Sequence, residues 1–584
     1  MTGPAPYCSV ARAWQPTPGA EGEVYFASDL SGVAQVYRMD APDRFPVRLL
    51  PSQDRTLPIA PTEHGLLVRQ DRGGDEVWQL AVLEGTGART VTRDPQAIYR
   101  DVTVAPDGRR AGLAYNPHGQ ADWVLGVIDL ETGAIEHRVD HGGYWRWLAW
   151  SPDGSTALVT EQKGLLLGTA YLLHESGELQ PVLPDARRVT AGFWARGRLF
   201  VLTDLDREFV GLAEMDPARP ERPTRWIVDE RHDVIAAVPS PTGERAAVVV
   251  NRGATDELRD VDLATGAARS RESAPPGVVY SDNASETAGQ LAWLPDGRRL
   301  LVAWESPTAP AELLELPEGT RWTRASGAPL PGLVAPQEIE IPAGDGLQIP
   351  ALHYRVEGPA GARPTVVYFH GGPESQSRGN YNPAIAVWNA AGFDVLAPNV
   401  RGSTGYGARY YSLDDRELRW DAVRDGCACG RWLRDTGLAG PLIAMGGSYG
   451  GFMTLAVLVE DPGLWDAAVD LVGIADWHTF LSTTSGWRRA IRVTEYGEPE
   501  GPDGEFLARF SPLRHAEAIR AHLLIVHGRN DPRVPLTEAE QMHRAVAGSE
   551  LLVFDDEGHG VARLPNRVRA YGRALEFVRE RVRD

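Results

Sequence analysis

Ser448 lies in Gly446-Gly447-Ser448-Tyr449-Gly450-Gly451, and an aspartate and a histidine follow it in the order Ser, Asp, His, a set of residues able to carry out acyl transfer. The apolar run 441–445 precedes the motif and the apolar run 452–459 follows it, so strand, Gly-x-Ser-x-Gly and helix come in succession. A turn of that kind exposes a hydroxyl, and its flanking residues must be small because strand and helix backbones nearly touch there. In a chain with 62 glycines the motif alone is weak. Its partners give it weight. The apolar run 523–526 leads into His527-Gly528-Arg529-Asn530-Asp531, and the run 551–554 leads into Asp555-Asp556-Glu557-Gly558-His559. Asp531 and His559 therefore fall just past the C-terminal ends of buried strands, where parallel sheets carry their active sites. In that arrangement His559 takes the proton of Ser448, and Asp531 fixes the imidazole tautomer. A second glycine loop, His370-Gly371-Gly372-Pro373, follows the strand 365–369 in the place where this fold presents a backbone amide to an oxyanion. The amide of Tyr449 is the expected second donor.

The elements that must position these residues differ between the two halves of the chain. After the proline- and glycine-rich junction 327–333, strands are expected at 365–370, 393–397, 443–445, 467–472, 523–527 and 551–554. They alternate with helices near 418–435, 454–460, 538–546 and 566–582, a pattern that reads as a mostly parallel sheet covered on both faces. Before the junction a polar turn recurs, most clearly as Ala105-Pro106-Asp107-Gly108, Ser151-Pro152-Asp153-Gly154, Ser240-Pro241-Thr242-Gly243 and Leu294-Pro295-Asp296-Gly297. The turn glycines 22, 65, 108, 154, 197, 243 and 297 are separated by 43, 43, 46, 43, 46 and 54 residues. A period in the forties with several short strands per unit is the mark of a propeller blade. An irregular β-sandwich would explain the strands but not the spacing. The expected division is an N-terminal segment 1–16 that can pack on the hydrolase domain, a seven-bladed propeller over 17–326 and an α/β-hydrolase domain over 327–584.

Composition narrows the class. A net charge of −20 argues against nucleic acid and anionic membrane as partners. Only Lys163 among the 59 basic residues is a lysine, which reads as genome composition. No apolar stretch reaches the length of a membrane span, and the first 20 residues, broken by prolines, do not read as a signal peptide. Three cysteines cannot build a disulfide framework, and Cys427-Ala428-Cys429 lacks the spacing of a zinc or redox pair. Free thiols in a cytoplasmic protein without metal or cofactor are expected. Homo-oligomerisation stays open.

With HGGP, NVRGSTGYG, GGSYGG, GRNDPRVP and EGHG after a propeller, the chain resembles the prolyl oligopeptidase family, nearest its acylaminoacyl-peptidase branch. The resemblance covers nearly the whole length. It implies a cytoplasmic serine peptidase for short peptides, with the propeller limiting access. Other branches place a tyrosine hydroxyl in the oxyanion hole where His370 stands here, so the resemblance points to the amide of Gly372 as the donor. Arg533 matches a family position that lines the substrate site. Arg488, Arg489 and Arg492, in an expected insertion after Trp477, either read a substrate carboxylate or form a solvated face. No pair of glutamates can be assigned to a clamp for a substrate N-terminus, since Asp75-Glu76 reads as part of a blade strand. An esterase or amidase acting on a small natural product would use the same triad, and a non-catalytic propeller scaffold would need a damaged one.

Overall fold

The computed structural model describes residues 3–582 apart from 86, 118–119, 165, 272–273, 282–283, 328–329 and 359–361. Junction residues 328 and 329 and the ends of the first and last expected domains, 1–2 and 583–584, lie outside the described residues.

Seven antiparallel sheets follow one another along the N-terminal half, over 13–48, 56–90, 98–139, 144–182, 189–228, 234–270 and 278–321. Each is one blade. All seven recurring turn glycines have positive φ, from 62° at Gly297 to 135° at Gly65, and each joins adjacent strands of one blade. Only glycine takes that conformation without strain, which is why the repeat is visible in the sequence. The ring closes where Trp14 and Phe26 of the first blade share a core with Leu301, Leu313 and Trp322 of the last.

The first blade starts earlier than expected. Strand Ala13–Pro18 pairs with Val24–Ser28, so the propeller begins at 13 and not at 17. Its two prolines argue for irregular chain, but the strand lies at the edge of its sheet, where a missing N–H costs little. Before it, the short helix Ala5–Cys8 packs on the C-terminal half. Tyr7 OH donates to Pro331 O at 2.9 Å, and Tyr381 OH donates to Tyr7 O at 2.7 Å.

The C-terminal half is built on one eight-stranded sheet, with strands β1 (Gln337–Pro342), β2 (Gln348–Tyr354), β3 (Arg363–Phe369), β4 (Asp394–Pro398), β5 (Ala439–Gly447), β6 (Ala467–Leu471), β7 (His522–Gly528) and β8 (Glu550–Phe554). Their order is β1-β2-β4-β3-β5-β6-β7-β8, parallel except for the β1–β2 hairpin and its junction with β4. Alternation along the strands feeds two cores. Val366 and Ile443 face the one that contains Trp388 and Phe577, while Val367 and Ala444 face the one that contains Phe452 and Trp477. This is the doubly covered α/β sheet of a hydrolase. All three cysteines are buried and free. Among the described residues no helix is long and apolar enough to cross a membrane.

Candidate active site

Ser448 stands between β5 and the helix Tyr449–Glu460, with φ 59° and ψ −119°. For a residue with a Cβ this is a strained conformation. Packing enforces it. A Cβ on Gly446 would lie 2.4 Å from Gly450 O, and one on Gly450 would lie 2.2 Å from Phe369 O. The Ser448 amide donates to Leu471 O at 2.9 Å, which ties the turn to β6. Its hydroxyl has no hydrogen-bond partner among the described residues, so it can turn toward a base.

Asp531 follows β7 and His559 follows β8, and the two meet: His559 Nδ1–H donates to Asp531 Oδ2 at 2.7 Å. Because that nitrogen carries the proton, Nε2 of the neutral ring is a bare acceptor. The other carboxylate oxygen accepts from the amides of Arg533 at 2.8 Å and Val534 at 3.0 Å. Burial by itself would raise the Asp531 carboxyl. Attraction to His559, the hydrogen bond from it, His527 and the Val534 amide together outweigh burial and hold it below the ordinary value. His527, which donates Nε2–H to Val534 O at 2.9 Å, braces the loop from beneath. The His559 loop is braced by the buried Glu557, which accepts from the amides of Ala562 and Arg563 and from the side chain of Asn566.

The glycine loop after β3 passes directly over Ser448, where a Cβ on Gly371 would lie 3.2 Å from Gly447 O and 3.6 Å from Ser448 Cβ. His370 Nδ1–H donates to Gly371 O at 2.7 Å, and its Nε2 lies 2.8 Å from Ser403 Oγ. Burial pushes the His370 ring down to about 4, so it is neutral near pH 7. Tyr496 OH contacts Gly372 O at 3.5 Å. With both carbonyls turned to these partners, the Gly372 and Tyr449 N–H groups have no acceptor among the described residues. An anion arriving between them would also meet the positive end of a 12-residue helix.

Arg533 is placed beside the pair but is already engaged. Its Nε donates to Glu76 Oε1 at 2.9 Å, and its NH2 lies 2.7 Å from the same oxygen. Glu76 Oε2 accepts from Arg488 NH2 at 2.6 Å. Burial opposes ionisation of Glu76, but Arg533 and Arg488 overcome it, with His559 adding to them, and hold the carboxyl far below its usual range. The expectation that Asp75-Glu76 lies in a blade strand is therefore corrected. These residues occupy the connection between strands Gly65–Gln70 and Gln79–Glu84, and Glu76 has φ 58°. The double glycine before them was the available signal, since Gly73 and Gly74 both have positive φ. Gly74 packs backbone to backbone on Gly558, next to His559.

The other arginines divide along the helix Gly486–Tyr496. Arg488 faces the propeller and is 8% exposed. Arg492 stacks its guanidinium 4.7 Å from the Phe480 ring centroid and donates to Arg533 O at 3.3 Å. Arg489 turns outward to Glu498 and Glu500. Only Arg489 is a surface group. On the side of the oxyanion loop, a cavity of about 450 Å³ lies between the halves, with Arg188, Thr190 and Asn251 on the propeller wall and His370, Gly371 and Gln376 on the other.

A seven-bladed propeller closed over an α/β-hydrolase sheet, with a strained serine at the sheet's centre, defines a capped serine hydrolase. Comparison with known proteins narrows the class. The prolyl oligopeptidase family model matches residues 380–584. Dipeptidyl aminopeptidase BIII of Pseudoxanthomonas mexicana is 31% identical over 554 residues, covering 88% of this chain and 77% of that protein. The chain belongs to the prolyl oligopeptidase family and is a serine peptidase. A puromycin-hydrolyzing peptidase of Mycobacterium tuberculosis superposes with a TM-score of 0.83 at 20% identity, over 99% of this chain and 96% of that one. The acylaminoacyl peptidase of Pyrococcus horikoshii does so with a TM-score of 0.71 at 17% identity, over 99% and 97%. At those identities the likeness is one of fold.

Proposed function

We propose that the protein hydrolyses short peptides by acyl transfer from Ser448, with His559 as the base and Asp531 as its orienting partner. The observation that carries this reading is the 2.7 Å contact of His559 Nδ1 with Asp531, which leaves Nε2 as a bare acceptor, and the strained turn that carries Ser448 is consistent with a nucleophile. His559 Nε2 takes the Ser448 proton as Oγ bonds to the peptide carbonyl carbon, and the carbonyl oxygen becomes an oxyanion between the amides of Tyr449 and Gly372. The imidazolium, stabilised by Asp531, gives that proton to the leaving amine as the C–N bond breaks. Water, deprotonated by the same nitrogen, then cleaves the acyl-enzyme and restores Ser448.

The substrates in this reading are short peptides, trimmed at an end as in the acylaminoacyl branch, and the propeller limits their size. Both Glu76 oxygens are held by arginines, so that carboxylate is not free to clamp a substrate amine. Among the described residues Arg533 NH1 has no partner, and its side chain is 43% exposed, which suits a contact with a substrate carbonyl.

A fluorophosphonate probe will label the native protein and not Ser448→Ala, and Ser448→Ala will lower peptide turnover by about four orders of magnitude or more. Labelling that survives the substitution would sink the assignment. Arg533→Ala will depress cleavage of an N-acetyl peptide anilide roughly tenfold more than hydrolysis of a p-nitrophenyl ester, which depends less on positioning. Equal losses on the two substrates would remove Arg533 from the substrate site.

A further inference from the structure

A cluster of acidic groups lies beside the oxyanion loop. Asp414, Asp415 and Glu495 each turn one carboxylate oxygen to a common point, all within 4.8 Å of one another. Glu374, two residues after Gly372, feels the same three groups. Arg419 pairs within this set, reaching Asp414 Oδ2 at 3.2 Å and Glu495 Oε1 at 2.8 Å, stacked 4.5 Å from the Tyr496 ring centroid. Arg188 and Arg187 act on Glu374 and Asp415 from beyond ion-pair distance. The Glu374 and Asp415 carboxyl groups have neither a hydrogen bond nor an ion pair among the described residues, and Glu374 Oε2 is buried. A buried carboxyl group without a partner costs several kcal/mol unless it is neutralised or paired. Burial first, then Glu495, Asp414 and Asp415, push the Glu374 carboxyl well above its ordinary value against Arg188, and burial with Asp414 and Asp415 outweighs Arg419 to raise Glu495 to about 8.

The position of this cluster relates it to the reaction. Asp414 Oδ2 accepts from Tyr449 OH at 3.0 Å, and Tyr496, next to Glu495, contacts Gly372 O at 3.5 Å. The carboxyl groups thus flank the two residues whose amides face the attacked carbonyl. We propose that this acidic pocket, centred on Glu374 and Asp415, binds a protonated nitrogen of the substrate residue that carries the attacked carbonyl. That nitrogen is either a side-chain ammonium or guanidinium, or the free α-amino group of an N-terminal residue. An ammonium brings three donors and a guanidinium five, enough to serve both partnerless carboxylates. A metal ion fits less well, because Arg419 already occupies the approach to Asp414 and Glu495. The proposal relies on Ser448 as nucleophile only to say which substrate residue is concerned.

Three p-nitroanilides separate the two nitrogen sources: N-acetyl-lysine, N-acetyl-norleucine and norleucine with a free amine. Either acetyl-lysine or free norleucine will exceed acetyl-norleucine in kcat/KM by roughly tenfold or more, as a charge-assisted contact gives. Glu374→Gln and Asp415→Asn will each move that ratio toward one. Ratios near one in the native enzyme, or an advantage that survives both substitutions, would overturn the proposal. Calorimetry on Ser448→Ala makes the test independent of the nucleophile. Acetyl-lysine amide or norleucine amide must bind roughly tenfold tighter than acetyl-norleucine amide, and equal affinities refute the pocket even if Ser448 proves catalytic. A melting temperature raised by millimolar calcium or magnesium in the native protein, but not in Glu374→Gln, would make the cluster a metal site and also overturn the proposal.

Discussion

Asp531 is held below its ordinary range, whereas two other buried acids in the same half move the opposite way: burial pushes Asp470 to about 7 and Glu538 to about 7. The difference is local. Asp531 faces an imidazole on one oxygen and two backbone amides on the other, while the donors to Glu538 are uncharged, the amides of Ala475 and Asp476, the hydroxyl of Thr479 and the side-chain amide of Gln541. Asparagine at 531 would keep one oxygen for the amides of Arg533 and Val534 and present its NH₂ to His559. An NH₂ cannot accept from Nδ1–H, so the ring would shift its proton to Nε2, the atom that must receive the Ser448 proton. Asp531→Asn will therefore lower kcat by about four orders of magnitude with the fold intact. Single-turnover kinetics and circular dichroism check it, and a loss under tenfold would mean that Asp531 does not set the tautomer.

The elbow that carries Ser448 depends on two close backbone approaches, and the tighter is at Gly450. Alanine there would put its Cβ 2.2 Å from Phe369 O, a backbone atom of the central strand β3 that cannot move without disturbing the sheet. Gly450→Ala will cost more than about 2 kcal/mol, seen as a clear drop in melting temperature or as insoluble protein. Gly463→Ala is the control, because nothing lies within 4 Å of its Cβ position. A melting temperature unchanged in Gly450→Ala would mean that the elbow relaxes freely. The same close packing explains how much was legible in the sequence. Glycines forced by geometry marked the elbow and the seven blade turns, and the apolar runs marked β3 to β8 and the four longer helices within a few residues, apart from the first turn of Tyr449–Glu460. The β1–β2 hairpin was missed because β1 is an edge strand in which only Ile341 is buried, so it lacks an apolar run. Helices Trp477–Thr483 and Gly486–Tyr496 were missed because the first is short and both carry threonine, with arginine in the second, in place of an apolar run. The role of Glu76, whose loop only the double glycine 73–74 marked, and the acidic cluster could not be read from local sequence. Both arise from segments far apart in sequence, and no local spacing encodes them.

At the scale of the whole molecule, one carboxylate among the contacts between the two halves ties the propeller to the loop that holds Asp531. Glu76 leaves the propeller in a connection between blade strands and ends between Arg533, whose backbone amide supports Asp531, and Arg488, on the helix beside it. A propeller that shifted as a body would have to break this contact, and the loop that orients His559 would feel the loss. The ion pair is largely shielded, with Glu76 at 14% and Arg488 at 10% side-chain exposure, so salt should weaken it little. Glu76→Gln leaves two guanidinium groups without a counter-charge, and breaking a buried pair in this way costs about 3–5 kcal/mol before relaxation. If that contact latches the cap to the reaction centre, Glu76→Gln will raise deuterium uptake in 73–76 and in 531–534. It will also cut kcat/KM for a short peptide roughly tenfold, a loss of about 1.4 kcal/mol in transition-state stabilisation. Access should relax at the same time. If the closed propeller limits access, the native enzyme will cleave a short peptide far faster than a long casein fragment, and the substitution will narrow that ratio. Unchanged exchange together with an unchanged length ratio would reduce Glu76 to a surface contact. A long fragment cut as fast as a short peptide by the native enzyme would remove the size filter itself.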